Sequence, residues 1–276
     1  MRAAILQLNV TDDPAENLPV TVEMLRRAAA AGAEFVLTPE VTNCISTSRS
    51  HQQEVLQFEG DDVTLAALKA EAKALGITLL IGSLGLQTGD ADGRFANRSI
   101  LVGPDGETIA RYDKIHMFDV QISETETWRE SEGYRPGAQA VVAQTGFAKI
   151  GMSVCYDVRF SHLYRALAKA GAQILTVPAA FSPVTGAAHW HALLRARAIE
   201  SGCFVIAPAQ TGTHKSAKNK TRDTYGHSLV VDPWGEVILD AGTSAGVFSF
   251  DLDMNKVDAA RRKVPGLANA RDFSGP

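Results

Sequence analysis

Apolar segments of five to seven residues recur along the chain, and most are separated by longer stretches in which apolar residues follow a helical spacing. The segments are rich in Val, Ile and Leu and lack the strict alternation of a strand with one face in water. This pattern predicts sheets that are covered on both faces by helices, as in the α/β class. The predicted strands are AAILQL (3–8), EFVLTP (34–39), TLLIGSL (78–84), SILVG (99–103), KIGMSV (149–154), QILTVP (173–178), CFVIAP (203–208), HSLVVD (227–232) and VFSFDL (247–252), and the predicted helices cover 15–31, 62–75, 161–171 and 188–201.

The second half of the chain weakly repeats the first. AGAEFVLTPE (31–40) and AGAQILTVPAA (170–180) both close a helix with Gly, enter an apolar strand and stop near a Pro. SILVGPDGETIARY and SLVVDPWGEVILDA both place Pro and Gly between strand-like segments, which predicts one β-hairpin in each half. Two such halves predict two sheets packed between helical layers. Because no linker or shift in composition divides them, we expect a single domain over 1–276, with an extended tail at about 262–276.

Composition and charge narrow the range of partners. The formal net charge of −4 gives no sign of a nucleic-acid partner, and the basic segment HKSAKNKTR (214–222) is interpreted as a solvated loop. No apolar run reaches the roughly 20 residues that span a bilayer, and the first residues lack the features of a signal peptide. Cys44, Cys155 and Cys203 are odd in number and irregularly spaced, which argues against a disulfide framework and a zinc site. We expect a protein of a reducing compartment, the cytoplasm.

Three reactive side chains follow predicted strands. Glu40 ends EFVLTPE, Cys155 ends KIGMSVC, and Lys114 follows the strand of the first hairpin. Taken singly, Glu40 could cap a helix, Lys114 could be solvated and Cys155 could belong to the core. Active sites of α/β sheets lie beyond such strand ends, and together the three residues supply a base, a nucleophile and a cation for acyl transfer. If a helix begins just after Cys155, the backbone N–H of Tyr156 would also face the oxyanion.

Several longer motifs occur in order along the chain: LTPE, RYDKIHMFD, GMSVCYDVRF, GAAHWHALLRARAIESGCFVIAPAQ (186–210) and YGHSLVVDPWGEV (225–237). Together they resemble the nitrilase superfamily of carbon–nitrogen hydrolases, and within it the Nit branch. The resemblance covers essentially the whole chain. It implies an α-β-β-α sandwich that pairs through a helical face into a homodimer or a higher homo-oligomer.

The resemblance also implies roles for individual residues. Glu40 is expected to be the general base, Lys114 to stabilise the oxyanion and position the substrate, and Cys155 to be the nucleophile. The superfamily places a second glutamate near the site, which matches Glu130 in WRESEG, with Glu132 as the less favoured candidate. The implied mechanism needs no cofactor and no metal ion, and the chain shows no Gly-rich phosphate loop for a nucleotide.

The implied substrate is a small amide. True nitrilases typically follow the cysteine with Trp-Glu, whereas Cys155 is followed by Tyr156-Asp157. We therefore expect hydrolysis of the terminal primary amide of a carboxylate-bearing molecule to acid and ammonia, through a thioester on Cys155. Within the Nit branch, deaminated glutathione is favoured as the substrate over the α-ketoglutaramate of ω-amidases. Aliphatic amidase, carbamoylase and nitrilase activities are further alternatives.

Three residues are candidates for binding this substrate. Arg159 lies four residues after Cys155, about one helical turn away, and a guanidinium binds carboxylates in a bidentate fork. Its alternative role is a surface salt bridge, for example to Asp157. Thr185, in FSPVTGAAHW, could donate a hydroxyl hydrogen bond, and Phe181 could form an apolar wall or belong to the core.

The chain departs from the superfamily pattern in two places. Where relatives usually read Arg-Phe-Pro-Glu, it has Arg159-Phe160-Ser161-His162. Ser161 is still predicted to cap a helix, but the missing carboxylate changes the polarity expected of the pocket. The segment 213–223 is longer and more basic than expected, which could alter substrate access.

The same residues also bear on other classes of function. His189 and His191 lie two apart on a predicted helix, so they point to different sides and are not expected to share a metal ion. A Cys–His hydrolase using His116 or His162 is disfavoured, because no papain-like flank surrounds the cysteine. A catalytically silent binding protein is disfavoured because all three reactive residues are present.

Overall fold

The computed structural model describes residues 1–122, 124, 126–216 and 221–275. The predictions for the basic segment 214–222 and the loop 213–223 lie partly outside the described residues, which omit 217–220. The helices are α1 (Pro14–Ala30), α2 (Arg49–Val55), α3 (Val63–Leu75), α4 (Ser161–Lys169), α5 (Pro183–Ser201) and α6 (Asn255–Lys263). The strands are β1 (Arg2–Gln7), β2 (Phe35–Leu37), β3 (Thr78–Gln87), β4 (Phe95–Val102), β5 (Thr108–Asp113), β6 (Asp119–Gln121), β7 (Thr127–Arg129), β8 (Val141–Gln144), β9 (Lys149–Met152), β10 (Ile174–Thr176), β11 (Phe204–Ala207), β12 (Thr211–His214), β13 (Arg222–Tyr225), β14 (Leu229–Val231), β15 (Val237–Asp240) and β16 (Gly246–Asp251).

Two six-stranded mixed sheets form the centre of the fold, in the orders β16-β1-β2-β3-β4-β5 and β15-β14-β11-β10-β9-β8. Three parallel strands lie together in each sheet, β1 to β3 in the first and β9 to β11 in the second. The hairpins β4–β5 and β14–β15 are both antiparallel, as the sequence predicts. The strands β2 and β10, which belong to the repeated segments, are the middle strands of their parallel triplets. The internal repeat therefore corresponds to two structurally similar halves.

Alternating residues of β1 show how the layers pack. Ala3 and Ile5 belong to a core cluster that contains Ile150 of the second sheet, so these faces of the two sheets pack against each other. Ala4 and Leu6 belong to a separate cluster formed with α1 and α3, which cover the outer face of the first sheet. The outer face of the second sheet is covered by apolar residues of α4 and α5 (Leu163, Leu167, Leu194 and Ala198). This is the α-β-β-α order of layers that the sequence predicts.

Helix boundaries differ from the predictions where local capping decides them. Helix α5 begins at Pro183, five residues before the predicted start at 188, because proline is well tolerated in the first turn of a helix. The predicted capping role of Ser161 is wrong, since Ser161 is the first helical residue of α4 and the preceding Phe160 makes no side-chain capping bond. The short helix α2 was not predicted; the Ser48 hydroxyl caps it by accepting from His51 N. In the described part of the chain, every helix is too short or too polar to traverse a bilayer.

His214 anchors the small hairpin β12–β13 to the body of the protein. Its imidazole is buried, with Nδ1 2.7 Å from the Val10 carbonyl oxygen and Nε2 2.7 Å from the Thr224 hydroxyl. A neutral ring satisfies both partners, donating to the carbonyl and accepting from the hydroxyl. Burial lowers the pKa of His214 to about 4, so the folded protein holds this histidine uncharged.

The variant His214→Gln is expected to weaken the acid sensitivity of the fold. The unfolded chain binds a proton near pH 6.5 that the folded chain does not bind until about pH 4, so stability is lost as pH falls through this window. Between pH 7 and pH 4.5, the titration of this residue should lower the free energy of unfolding of the wild type by about 2.5 kcal/mol. The variant should lack this contribution to the acid-dependent loss of stability. Urea unfolding at both pH values measures it, with the exposed His162→Gln as the control. An identical acid dependence in wild type and His214→Gln would contradict the assignment.

Candidate active site

Four side chains predicted for catalysis lie together beyond the ends of three strands. Lys114 comes directly after β5, Glu40 lies three residues after the end of β2, and Cys155 lies three residues after the end of β9. The Lys114 Nζ atom lies 2.9 Å from Glu40 Oε1 and 2.8 Å from both carboxylate oxygens of Glu130. The side chain of Lys114 is only 2% exposed, and Glu40 and Cys155 are buried as well. The structure thus forms a closed charge cluster beside a thiol.

Further hydrogen bonds hold both carboxylates in place. Glu40 Oε1 accepts from Asn97 Nδ2 at 2.9 Å, and Glu40 Oε2 accepts from Ala180 N at 2.8 Å. Glu130 Oε2 accepts from Phe118 N at 2.6 Å. Asn97 was not identified from the sequence, because an asparagine within a strand gives no local signal of a catalytic contact. Both carboxylates are therefore fixed against the ammonium rather than free to rotate.

The structure distinguishes the two glutamates considered in WRESEG. Glu130 begins a short 3₁₀ helix, Glu130–Glu132, and its carboxylate faces Lys114. Glu132 lies at the other end of that helix with an exposed side chain, and its backbone carbonyl accepts from Arg49. Only Glu130 of the pair contacts the buried ammonium.

The protonation states follow from these contacts. Burial alone would lower the pKa of Lys114, but the charges of Glu130 and Glu40 outweigh it and hold that pKa well above its usual value. Burial alone would raise the pKa of Glu40, but Lys114 outweighs it and holds that pKa below its usual value. Burial and the neighbouring Glu40 charge raise the pKa of the Cys155 thiol well above 9.0. The resting site therefore holds an ammonium, an ionised Glu40 and a neutral thiol.

Cys155 occupies a strained turn between β9 and α4. Its φ of 50° lies in the left-handed region, which is unfavourable for a residue with a side chain. The predicted helix directly after Cys155 is a 3₁₀ helix of five residues, Cys155–Arg159, and the α-helix begins only at Ser161. Among the described residues, no hydrogen bond uses the Tyr156 N–H, and Tyr156 is not one of those that line the cavity, so its role toward an oxyanion stays a prediction.

Asp157 holds this turn in place, a role that was not predicted from the sequence. Its fully buried carboxylate accepts from Val154 N at 2.8 Å and from the Tyr112 hydroxyl at 2.7 Å. It also lies 3.0 Å from His116 N and 2.7 Å from His116 Nδ1, in the loop that follows β5. One buried carboxylate thus joins the turn of the thiol to the loop of the ammonium. No local pattern reveals this, because the partners come from distant parts of the chain.

A cavity of about 310 Å³ opens onto the charge cluster. Phe181 and Thr185 line it, as predicted, together with three aromatic residues that were not predicted, Phe118, Trp128 and Tyr134. Its polar lining comprises Glu40, Ser46, Thr47, Arg49, Gln52, Asn97, Lys114, Arg129, Glu130, Glu132, Tyr134, Cys155, Ser182, Thr185 and Arg222. The lining therefore combines aromatic side chains with the charged residues of the cluster.

The structure places Arg159 behind this cavity rather than in its wall. Among the described residues that line the cavity, Arg159 is absent. Its guanidinium lies 5.5 Å from the centre of the Phe181 ring, and Nη1 lies 3.3 Å from His189 Nδ1. The alternative salt bridge to Asp157 is wrong, because the Asp157 carboxylate is buried and faces the other way, toward Tyr112. A direct bond from Arg159 to a substrate carboxylate stays a prediction.

Within the described residues, one group of side chains has the spacing of a metal site. The ligand atoms of His191, His227 and Asp240 lie within 4.8 Å of one another. Both imidazoles already lie 2.9 Å from the Asp240 carboxylate, so hydrogen bonds account for the arrangement. His189 instead contacts Arg159, so the two histidines of HWH have different partners. The geometry does not call for a metal ion at these residues.

Comparisons with known proteins agree with the fold. A family model described as carbon-nitrogen hydrolase matches residues 2–262. The deaminated glutathione amidase of Synechocystis is 36% identical over 267 residues, which cover 96% of this chain and 96% of that protein. The Caenorhabditis elegans NitFhit protein superposes with a TM-score of 0.90 at 34% identity, covering 98% of this chain and 65% of the longer NitFhit chain.

An amidase of the nitrilase superfamily from Nesterenkonia superposes with a TM-score of 0.77 at 26% identity, covering 96% of this chain and 98% of its own. In that structure, a glutamate-to-glutamine variant carries acrylamide, added by Michael addition at the active-site cysteine. The chain described here belongs to the carbon–nitrogen hydrolase family. The resemblance to the nitrilase superfamily is thereby confirmed, and the chain is an enzyme that hydrolyses carbon–nitrogen bonds.

The variant Glu40→Gln is expected to make Cys155 react at lower pH. The negative charge of Glu40 is one of the causes that raise the Cys155 pKa, so its removal should favour the thiolate beside Lys114. The pH of half-maximal alkylation by iodoacetamide should fall by about one unit, measured at Cys155 by mass spectrometry. Glu132→Gln, at the same cavity, is the control. An unchanged profile in Glu40→Gln would contradict direct coupling between the carboxylate and the thiol.

Proposed function

We propose that this enzyme is an amidase in which Cys155 is the nucleophile and Glu40 the general base. The observation that carries the proposal is the buried contact of Lys114 with both Glu40 and Glu130, beside the thiol and open to one cavity. A thiol needs a base to become a nucleophile, and an ionised carboxylate that interacts with it supplies one. The alkylated cysteine of the Nesterenkonia amidase supports the assignment of Cys155.

In the acylation half-reaction, the Cys155 thiol transfers its proton to Glu40 and the sulfur attacks the amide carbonyl carbon. The proton transfer leaves the net charge of the cluster unchanged, since a thiolate forms as a carboxylate is neutralised. Lys114 Nζ and the Tyr156 N–H are the proposed donors to the oxyanion. As the carbon–nitrogen bond breaks, Glu40 returns the proton to the leaving nitrogen, and a thioester remains on Cys155.

In the deacylation half-reaction, Glu40 takes a proton from water, and the hydroxide attacks the thioester carbonyl carbon. The carbon–sulfur bond then breaks, the acid is released, and the proton on Glu40 restores the thiol. Glu130 is proposed to hold Lys114 in position throughout, because both of its carboxylate oxygens bond the ammonium. A metal ion or cofactor is not part of this sequence of steps.

The relatives suggest the identity of the amide. The Synechocystis protein is named deaminated glutathione amidase, and the human protein of that name is 36% identical over 271 residues. We propose the same substrate here. Its amide bonds are secondary, so the expectation of a terminal primary amide and of ammonia release is wrong for this substrate: the group released from it is an amine. A primary amide such as α-ketoglutaramate releases ammonia. The leaving group therefore distinguishes the favoured substrate from that of an ω-amidase.

Steady-state assays of four compounds test the proposal: deaminated glutathione, α-ketoglutaramate, an aliphatic amide and a nitrile. We expect the highest kcat/KM for deaminated glutathione. Its hydrolysis is measured by labelling the released amine with an amine-reactive dye, because the substrate itself lacks an amino group. Cys155→Ala should lower kcat at least about 1,000-fold because no nucleophile remains, and Cys203→Ala is the matched control. Full turnover by Cys155→Ala would refute the mechanism, and a strong preference for the nitrile would refute the amidase assignment.

We also propose that the chain acts as a single domain and that two copies of it pair through the helical layer containing α5. Ile199 on α5 is 55% exposed, and Trp234, in the neighbouring β14–β15 turn, is 58% exposed. The turn packs against α5, since a side chain at Gly235 would collide with Ile199. Two large apolar side chains on one face favour contact with a second copy.

We further propose that the protein acts in a reducing compartment such as the cytoplasm. Its three cysteines are free, which suits such an environment.

Ile199→Glu is expected to shift the protein from dimer to monomer, because the buried charge would have no partner. Sedimentation velocity at micromolar concentration measures the change. Val20→Glu, on the helical layer over the other sheet and 54% exposed, is the control and should leave the mass unchanged. A monomeric wild type, or a dimer unaffected by Ile199→Glu, would contradict the proposed interface.

A further inference from the structure

The loop that follows β5 is attached to the active site at two carboxylates. Lys114 Nζ lies 2.8 Å from both carboxylate oxygens of Glu130, and Phe118 N donates to Glu130 Oε2 at 2.6 Å. Between these two attachment points, His116 contacts Asp157 instead, with its backbone N 3.0 Å and its Nδ1 2.7 Å from Asp157 Oδ1. The loop therefore joins the carboxylate that holds the ammonium to the carboxylate that holds the turn of the thiol.

The Asp157 carboxylate is fully buried, and each of its oxygens accepts two hydrogen bonds. Oδ2 accepts from Val154 N and from the Tyr112 hydroxyl, and Oδ1 accepts from the backbone and the ring of His116. An ionised carboxylate has about four acceptor positions, so this set of donors is complete. Loss of the ring donor would leave a buried anion short of one hydrogen bond, which costs more than the bond itself contributes. The ring of His116 therefore holds the loop against the turn.

The His116 ring is fixed in one orientation. It stacks on the Phe160 ring, with the ring centres 3.6 Å apart and the planes 7° from parallel. The ring of His162 lies nearly at a right angle to it, with the ring centres 5.7 Å apart. Because an ionised carboxylate only accepts, a hydrogen is assigned to Nδ1 of His116. Stacking and this hydrogen bond together determine where Nδ1 points.

His116 does not reach the reacting atoms. Among the described residues, those that line the cavity do not include His116, and no hydrogen bond joins its ring to Cys155. The ring thus has no contact through which it could take the thiol proton, in contrast to the histidine of a Cys–His hydrolase. Any effect of His116 on the reaction must pass through Asp157 to the turn of Cys155.

We propose that His116 is a positioning residue for the amidase reaction. Its Nδ1–H holds Asp157 and thereby keeps the loop of Lys114 aligned with the turn of Cys155. Attack needs the sulfur, the oxyanion donor and the base in one arrangement, and a displacement of about 1 Å can lower the rate about 100-fold. The inference rests on the proposed amidase function and adds to it a residue that contacts neither the substrate nor the thiol.

Two replacements of equal shape test the hydrogen bond. His116→Asn keeps a side-chain N–H close to the position of Nδ1, whereas His116→Leu has the same shape without a donor. We expect kcat for the preferred amide to fall about 10- to 100-fold in His116→Leu and less than about 3-fold in His116→Asn. KM should change less than about 3-fold in both, because the cavity lining is unaltered. The control is His162→Leu, at the neighbouring exposed histidine, which should leave both constants unchanged.

Alkylation of Cys155 by iodoacetamide gives a second measurement that does not depend on turnover. Burial and the charge of Glu40 raise the pKa of Cys155, and the charge of Lys114 lowers it. A loop displaced in His116→Leu would weaken the effect of Lys114, so the pH of half-maximal alkylation should rise by about half a unit. His116→Asn should show no such rise. A wild type that hydrolyses no amide would refute the proposed function, and the alkylation comparison would still test His116.

Three results would overturn the proposal. Unchanged kcat in a folded His116→Leu variant would show that the bond is dispensable, and so would an unchanged alkylation profile. Equal losses of kcat in His116→Asn and His116→Leu would show that the N–H donor is not what the site requires. Circular dichroism and thermal unfolding check that each variant is folded. If His116→Leu does not fold, His116→Phe, which keeps a ring against Phe160, takes its place with the same expected results.

Discussion

The buried ammonium of Lys114 is the constraint on which the rest of the structure depends. A lysine that is 2% exposed is strongly unfavourable unless opposite charges accompany it into the interior. Glu40 and Glu130 provide these charges, and they come from two different parts of the fold. The ends of β2 and β5 and the turn at residue 130 must therefore meet before the lysine can be buried. The sheets supply this convergence, since β2 and β5 belong to one sheet and Cys155 follows the facing one.

The same cluster determines how the thiol is used. Burial, and after it the charge of Glu40 that Lys114 holds ionised, raise the pKa of Cys155, so the site does not store a thiolate. The thiol must instead lose its proton to Glu40 as the substrate is attacked, and the charge of the cluster stays constant. The strained backbone at Cys155 and the buried Asp157 beneath it keep the sulfur in place for this transfer. Geometry rather than thiol acidity is therefore the basis of the proposed activation.

Much of this arrangement could be predicted from the sequence, because it depends on short local patterns of residues. Apolar segments indicated the strands, Gly and Pro indicated the hairpins, and Glu40, Lys114 and Cys155 stand at strand ends. The other contacts depend on tertiary structure. The sequence suggests Asp157 as a surface partner of Arg159, whereas its carboxylate accepts a hydrogen bond from His116 N in the loop after β5. A capping role for Ser161 depends on where the 3₁₀ turn ends, which no local pattern specifies.

Arg222 is another residue whose position depends on tertiary structure, and it contributes to the charge of the cavity. In the sequence it ends a basic stretch that reads as a solvated loop, but β13 pairs with β12 and returns it to the active site. The catalytic cluster of Lys114, Glu40 and Glu130 has a formal charge of −1, and the rest of the lining adds three arginines and one glutamate, so the formal sum is +1. Arg222 is the arginine linked to Glu40, since the Ala180 carbonyl accepts from Arg222 and the Ala180 N–H donates to Glu40 Oε2. A lining with a positive formal charge favours the approach of an anion, even though the chemistry is built on two carboxylates.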